Sequence, residues 1–409
     1  MGPTKAPGPD RFHAVFFQKY WDVVGGYTTR VCLKVLNEDL FIRGFNSTNI
    51  VLIPKKKNPI SIRDFKPISL CSVVYKIVSK TVANRLKLIL PKLISPSQRR
   101  LIFDNVIVAF EMLHSLSKRK KGKKGFAALK LDMSKAYDHV EWGFLKCVLM
   151  KMGFPTSWIS IIWDCISTVS YSFVINGNEV GKVFPSRGLR QGCPLSPYLF
   201  IFCAEAFSSL ITGSAAVNRS LGFNGCRNSP LVSHLFFADD SILFCPVSSE
   251  SCDMLKNNFM VYERGSGQQI NLQKSSVTFS PNMNGSSRAA FQNLLGLAEG
   301  QPHDKYLGFP TLVGRNKRLT FNAIKDRLWK RVRNWKGNFF SMGGKEILIK
   351  AIAQAVPTYT MSLFQLPVSL CKDLGSMISS FWWGFNDGKR KMSWVSWDKL
   401  CLPKAMFVG

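Results

Sequence analysis

Three carboxylates sit where a folded chain ordinarily avoids them. Asp132 ends the apolar run AALKLD, and Asp239 and Asp240 interrupt HLFFADDSILF. Burying a carboxylate is costly unless it is paired or metal-bound, and two adjacent ones raise each other's pKa. Taken alone, Ala238-Asp239-Asp240-Ser241 also reads as a hairpin turn, where Asp is common. Adding Asp132 shifts the balance, because three carboxylates at strand ends can converge on two divalent cations about 3.5–4 Å apart. Oxygen-only ligands select Mg2+ or Mn2+ over zinc. One ion then activates a hydroxyl and the other clamps a triphosphate, which is the chemistry of phosphoryl transfer.

The elements that must hold these groups follow from periodicity. Phe12 to Leu40 is an amphipathic stretch, and Ile50 to Ile53 reads as a strand stopped by Pro54 and Lys55-Lys56-Lys57. Apolar residues at helical spacing run from Val73 to Leu90, where Pro91 is expected to end the helix. A second helix is expected over Asn105 to Leu116. Ala127 to Leu131 is a buried strand, followed by helical patterns over Val140 to Met152 and Ser157 to Ile166. Tyr171 to Ile175 and the residues after Asn176-Gly177-Asn178 form a hairpin. The loop Gly188 to Pro194 leads into an apolar helix, Pro197 to Ile211. His234 to Cys245 reads strand, tight turn, strand, followed by a polar helix (Glu250 to Arg264) and a strand near Val277 to Phe279.

The 409 residues carry 55 Lys and Arg against 25 Asp and Glu, a formal net charge of +30. A hydrophobic content of 46% excludes low-complexity disorder, so a folded chain this basic needs a polyanionic partner. Nucleic acid leads over membrane: the most apolar run, Tyr198 to Phe207, contains Glu205 and is shorter than the ~18–20 residues of a span. No secretory signal is visible, and an intracellular, nuclear location is expected. Eleven scattered Cys without a C-x-x-C pair and five His form no zinc constellation, so the thiols read as reduced and mostly buried.

Two basic blocks stand out. KRKKGKK (Lys118 to Lys124) has six basic residues in seven and reads as a solvated loop tip, a nucleic-acid contact or a nuclear-import signal. Arg315 to Lys350 carries eleven Lys and Arg against two acids. Its stripe Ile324, Leu328 and Val332 predicts a helix docked by one face, with a basic outer face. Trp329 is assigned to the core, while Trp335 stays open between core and base stacking.

LDMSKAYDHVEW (Leu131 to Trp142), GLRQGCPLSPYLF (Gly188 to Phe200), FADD (Phe237 to Asp240), INLQKS (Ile270 to Ser275) and YLG (Tyr306 to Gly308) follow one another. KAPGPDRF and NIVLIPKKKNPISIRDFKPISL (Asn49 to Leu70) precede them. In order and spacing, this series resembles the motifs of reverse transcriptases carried by plant non-LTR, LINE-like retrotransposons. The resemblance implies an α+β right-hand polymerase with a small antiparallel palm sheet backed by helices. Fingers would span residues 1–125 and the palm 126–312, the whole reverse transcriptase domain being about 45–312. A basic helical, thumb-like region would fill 313–409. It further implies attack of a primer 3′-OH on a dNTP, directed by an RNA template, with two Mg2+ ions.

The same resemblance assigns roles. Asp132, Asp239 and Asp240 would hold the metals, with the Met133 carbonyl as a backbone ligand. Tyr137 would stand against the sugar of the incoming nucleotide and exclude a 2′-hydroxyl, although alone it also reads as a core tyrosine. Gln191 and Gly192 would contact the nucleotide, with Arg190 a structural or template contact. Lys274 would protonate the departing pyrophosphate, although alone it reads as a surface lysine. Lys55 and Lys66 would touch the triphosphate, and Tyr306, Leu307 and Gly308 would form a primer grip. Lys325, Arg327, Lys330, Arg331 and Arg333 would hold duplex backbone. Asp138 is expected to be structural, pointing away from Asp132.

The chain also departs from that pattern. Lys66 stands where the family carries Arg, which predicts weaker triphosphate binding because Lys cannot grip phosphate bidentately. A stretch like SAFVPG is missing between Gln98 and Arg100. Arg11 replaces a turn glycine, at about 1 kcal/mol if that turn needs positive φ. An upstream endonuclease and a C-terminal zinc-binding segment are expected to be absent, as in a truncated copy. Two rivals follow: an inactive remnant that only binds nucleic acid, and a two-metal nuclease. The loop GLRQGCPLSP and Tyr137 argue against the nuclease, which needs no pocket for a free nucleotide.

Overall fold

Runs of aliphatic and aromatic residues form short strands around which helices close, and the computed structural model describes residues 1–37, 42–99, 102–218, 221–300, 305–310, 317–335, 340–386, 389–390 and 392–402. The chain divides into two compact units, Met1–Gly300 and Gln301–Gly409.

In the first unit the strands are β1 (Ser47–Pro54), β2 (Phe65–Cys71), β3 (Phe126–Leu131), β4 (Met133–Ser134), β5 (Ser170–Ile175), β6 (Asn178–Val183), β7 (His234–Phe237), β8 (Asp240–Pro246), β9 (Gln269–Ile270), β10 (Ser276–Phe279) and β11 (Ala298–Glu299). One sheet has the order β2-β1-β5-β6, a second β11-β10-β3-β8-β7, and β4 pairs with β9. The central strands of the second sheet, β10, β3, β8 and β7, are antiparallel. Ala127, Ala128, Leu129 and Leu131 of β3 are all buried, and Lys130 between Leu129 and Leu131 is partly exposed.

Helix Ser196–Asn218 joins two cores within this unit. Leu199, Phe202 and Cys203 belong to one and Phe207 and Ile211 to the other. A helix buried on more than one side must be apolar all round. Its segment Ser196–Ala216 is thereby long and apolar enough to cross a membrane, and half of it is buried inside the protein. That corrects the shorter run, Tyr198 to Phe207, picked out in the sequence.

Most expected helices are present with shifted ends, including Ile102–Lys118, Trp142–Lys151, Thr156–Ser167 and Ser249–Ser266. Two differ. Helix Val73–Leu93 continues through Pro91. Proline removes one donor there, but so near the end the helix still closes, with the Ile94 N–H donating to the Leu90 carbonyl at 3.0 Å. The stretch from Phe12 breaks into Ala14–Lys19 and Trp21–Asn37. Arg11 has φ +58, so the turn does require the left-handed region, at about 1–2 kcal/mol for a side chain other than glycine. All eleven cysteines are free, and seven are buried.

The second unit begins with the hairpin β12 (Lys305–Tyr306) and β13 (Phe309–Pro310). Its turn residues Leu307 and Gly308 have φ +50 and +82, as a type I′ turn demands. Helix Lys317–Asn334 buries Phe321, Ile324, Leu328 and Val332 in one core with Leu370, Leu374 and Phe381 of helix Val368–Trp383. Asp373 of the latter binds both Arg318 (2.9 Å) and Lys325 (3.0 Å). Trp329 is 45% exposed, contrary to its assignment to the core. It lies one residue, about 100°, off the Leu328 stripe, whereas Trp335 falls on that stripe and packs on Phe381 with ring centroids 4.9 Å apart.

Candidate active site

Strand register brings the carboxylates together. The β3–β8 ladder ends at Leu131↔Ser241, so one step further sets Asp132 opposite Asp240. Directly opposed residues have Cβ atoms about 4.5–5.5 Å apart. Phe237 pairs with Asp240, leaving Ala238 and Asp239 as a two-residue turn. Ala238 has φ +53, a strained conformation for a residue with a Cβ. Asp239 is exposed and Asp240 half-buried. Burial first, then the charges of Asp239 and Asp132, raise the Asp240 carboxyl above its usual range, while Lys130 opposes them. Yet among the described residues no group of three His, Cys, Asp or Glu is gathered tightly enough to hold a metal ion. Asp132, Asp239 and Asp240 share one strand-end neighbourhood. Its donor chemistry, three carboxylates and no thiol or imidazole, fits a hard divalent ion.

The INLQKS segment fixes Asp132 from the main-chain side. Asp132 N–H donates to Ser275 Oγ at 3.0 Å, and its carbonyl accepts from the Asn271 N–H at 2.8 Å. Met133 pairs with Ile270 in the β4–β9 ladder. Lys274 Nζ stands 3.9 Å from Asp132 Oδ2 on a side chain 71% exposed, so this pair contributes little stability and matters for its position. Ser275 and Asn271 escaped the sequence reading, where only their place in INLQKS marked them.

Tyr137 stacks on Phe200 with ring centroids 4.9 Å apart. Burial and then the charge of Asp239 push its hydroxyl up to about 12, so this ring lies within the field of the paired aspartates. The first motif and the substrate loop are zipped together: Leu189 N–H donates to the Tyr137 carbonyl and Gly188 N–H to that of Val140, both at 2.8 Å. A Cβ on Gly188 (φ +90) would stand 2.7 Å from the Asp138 carbonyl oxygen, and one on Gly192 (φ +109) 3.0 Å from that of Ser69. Only glycine fits such turns without strain. The Gln191 carbonyl accepts from the Ser69 N–H of β2 at 2.9 Å, which ties the loop to the first sheet. Gln191 Oε1 is buried without a hydrogen-bond partner among the described residues.

The remaining sequence-assigned residues are spread more widely. Asp138 is half-buried, and burial raises its carboxyl against the opposing charges of Lys135, His139 and Lys55. Lys55 thus faces this loop, with Nζ donating to the Arg63 carbonyl at 3.1 Å. Lys66 is exposed, opposite Ile53. Residues 100 and 101, beside the missing stretch, lie outside the described residues. Tyr306, Leu307 and Gly308 belong to the second unit, where Tyr306 is buried and the Leu307 carbonyl accepts from the Tyr359 hydroxyl at 3.2 Å. There Lys325 is engaged with Asp373, while Arg327, Lys330, Arg331 and Arg333 are exposed.

The strand that leads into the aspartate turn is anchored by a polar network. On β7, His234 Nε2 meets Ser97 Oγ (2.9 Å) and Ser208 Oγ (2.8 Å), and Nδ1 meets Ser233 Oγ (2.9 Å). Burial pushes the His234 imidazole down to about 4. The unfolded chain, with a histidine near 6.5, therefore takes up a proton that the folded chain refuses. Stability is full above about pH 6.5 and falls as pH drops toward about 4, by on the order of 2–3 kcal/mol at pH 4.5. Urea unfolding at about pH 7 and about pH 4.5 should show a smaller acid loss for His234→Gln than for the wild type. Equal losses would refute the assignment.

Asp132, Asp239 and Asp240 thus lie at one sheet end near the stacked Tyr137 and the glycine loop that is bonded to it. The family model described as reverse transcriptase (RNA-dependent DNA polymerase) matches residues 53–311. A transposon TX1 uncharacterized 149 kDa protein of Xenopus laevis is 28% identical over 98% of this chain and 30% of its own length. The Pol polyprotein of the type-2 retrotransposable element R2DM of Drosophila melanogaster is 27% identical over 59% of this chain and 22% of its own. The chain therefore belongs to the reverse transcriptase family and has the right-hand polymerase fold of that family. It spans less than a third of either relative. The telomerase of Candida tropicalis, solved with a TWJ fragment of telomeric RNA, superposes with a TM-score of 0.47 at 14% identity over 82% of this chain and 57% of that one.

Proposed function

We propose that this chain is an RNA-directed DNA polymerase of a plant retrotransposon, acting in the nucleus and adding dNTPs to a DNA primer 3′-OH on an RNA template. The observation that carries the reading is the register that sets Asp132 opposite Asp240 beside Asp239 and Tyr137. Asp132, Asp239 and Asp240, with the Met133 carbonyl, would hold two Mg2+ ions, which when bound activate the attacking hydroxyl and stabilise the leaving oxygen. Tyr137 blocks a 2′-hydroxyl, Gln191 and Gly192 border the nucleotide, and Lys274 gives a proton to the pyrophosphate. Lys55 and Lys66 meet the triphosphate. Tyr306 to Gly308 form the primer grip, and the exposed cations of helix Lys317–Asn334 hold backbone phosphates. Residues 1–125, 126–312 and 313–409 serve as fingers, palm and thumb.

Primer extension on poly(rA)/oligo(dT) tests this, with Mg2+-dependent dTMP addition as the expected result. Absence of extension in either Mg2+ or Mn2+, with duplex binding intact, would favour a nucleic-acid-binding remnant, a reading that Lys66 and the stretch missing after Gln98 support. Tyr137→Ala should raise ribonucleotide over deoxynucleotide incorporation by about 10–100-fold, the worth of one lost steric contact. An unchanged ratio of kcat/KM values would remove the gating role.

A further inference from the structure

We infer that Lys118–Lys124 is a second nucleic-acid site, binding phosphate backbone at the end of the β3 sheet opposite the carboxylates. The inference goes beyond the proposed polymerase, which uses nucleic acid at the carboxylates and on the second unit. Lys118, Lys120, Lys121, Lys123 and Lys124 are all exposed. None of them pairs with a carboxylate among the described residues. The chain runs straight from this loop into β3, whose far end carries Asp132. Six residues at about 3.3 Å each put the lysines about 20 Å from the carboxylates.

The loop has a built shape. Asn282 Nδ2 donates to the carbonyls of Gly122 (2.9 Å) and Lys124 (3.0 Å), and its N–H to that of Arg119 (3.3 Å). Gly122 turns the chain at φ +108. The Arg119 guanidinium lies 4.5 Å over the Phe126 ring, a cation–π contact that anchors the loop to the sheet. Five ammonium groups therefore project from a pinned base. A receptor that reads an import signal as an extended peptide would have to break the Asn282 bonds first. A phosphate backbone meets the lysines as they stand, with counterion release as the driving force.

The test uses the full chain with all five lysines changed to glutamine, beside Asn282→Ala, which keeps every charge but frees the loop. Binding of a 30-nucleotide RNA is measured against salt; at about 3.4 Å per nucleotide, roughly six nucleotides bridge the loop and the carboxylates, so this RNA is long enough to occupy both. For the five-lysine variant, 30-mer affinity should fall about tenfold or more and the slope of log K against log salt should flatten by about 2–3. Asn282→Ala should weaken the 30-mer severalfold with the slope kept. Unchanged 30-mer affinity in both variants overturns the inference. So does loss of nuclear accumulation in the five-lysine variant with RNA binding intact, which would make the loop an import signal. Because binding is the readout, a chain inactive in primer extension leaves the inference standing or falling on its own.

Discussion

Asp239→Asn should, on the proposed polymerase reading, lower metal-dependent primer extension about 1,000-fold or more, the loss expected when a charged oxygen worth ~4 kcal/mol of transition-state stabilisation is removed. The substitution is nearly isosteric and falls on an exposed turn residue, so it leaves the fold intact. It also removes one of the like charges that raise Asp240, and the charge that helps push up the Tyr137 hydroxyl. Thermal stability should accordingly hold or rise slightly while activity disappears, a combination that separates catalysis from folding. Circular dichroism melting and extension kinetics on one preparation decide it. Wild-type extension by Asp239→Asn would show that the chemistry resides elsewhere, and a matching fall in melting temperature would show that the turn is structural.

The carboxylates were legible because so few acids interrupt apolar strands in this chain, and the flanking runs marked Asp132, Asp239 and Asp240 as misplaced. What the runs could not supply was register. Asp132 and Asp240 face each other through β3–β8 pairing across more than a hundred residues, and no local pattern specifies that partnership. The parallel pairing of β1 with β5, which joins Ser47–Ile50 to Ser170–Phe173, is equally non-local. Helix phase was readable to within one residue, and that single residue placed Trp329 in solvent, while Trp335, open between core and base stacking in the sequence, packs on Phe381. Pro91 was overweighted because a proline near a helix end costs less than one in its middle. The supports of Asp132, Ser275 and Asn271, are ordinary polar residues whose importance lies wholly in where the main chain carries them.

Arg190 shows the same limit most sharply, and it carries the second large effect. Sequence left it between a structural and a template role; the structure buries it at 5% exposure. Its guanidinium donates to Thr48 Oγ1 at 3.1 Å and to the Cys165 carbonyl, and lies 4.0 Å over the Tyr75 ring. No carboxylate pairs with it among the described residues. A buried cation held by dipoles and a ring keeps its place only if each contact is made, since desolvation is otherwise uncompensated. These contacts reach β1, helix Val73–Leu93 and the end of helix Thr156–Ser167, so one side chain fastens the glycine loop to the elements around it. Arg190→Met removes the ring contact and a charged donor from both Thr48 Oγ1 and the Cys165 carbonyl, and should cost about 2–4 kcal/mol in urea unfolding. Thr48 Oγ1 keeps its contact to Asn46, and the Cys165 carbonyl keeps those to Asn46 and Tyr75. Because Gln191 is the next residue and accepts from Ser69, dNTP KM should rise in the molecules that remain folded. A double-mutant cycle with Thr48→Val isolates the hydrogen bond from the ring contact. Wild-type stability in Arg190→Met would mean that the loop is held by its backbone bonds to Tyr137, Val140 and Ser69 alone.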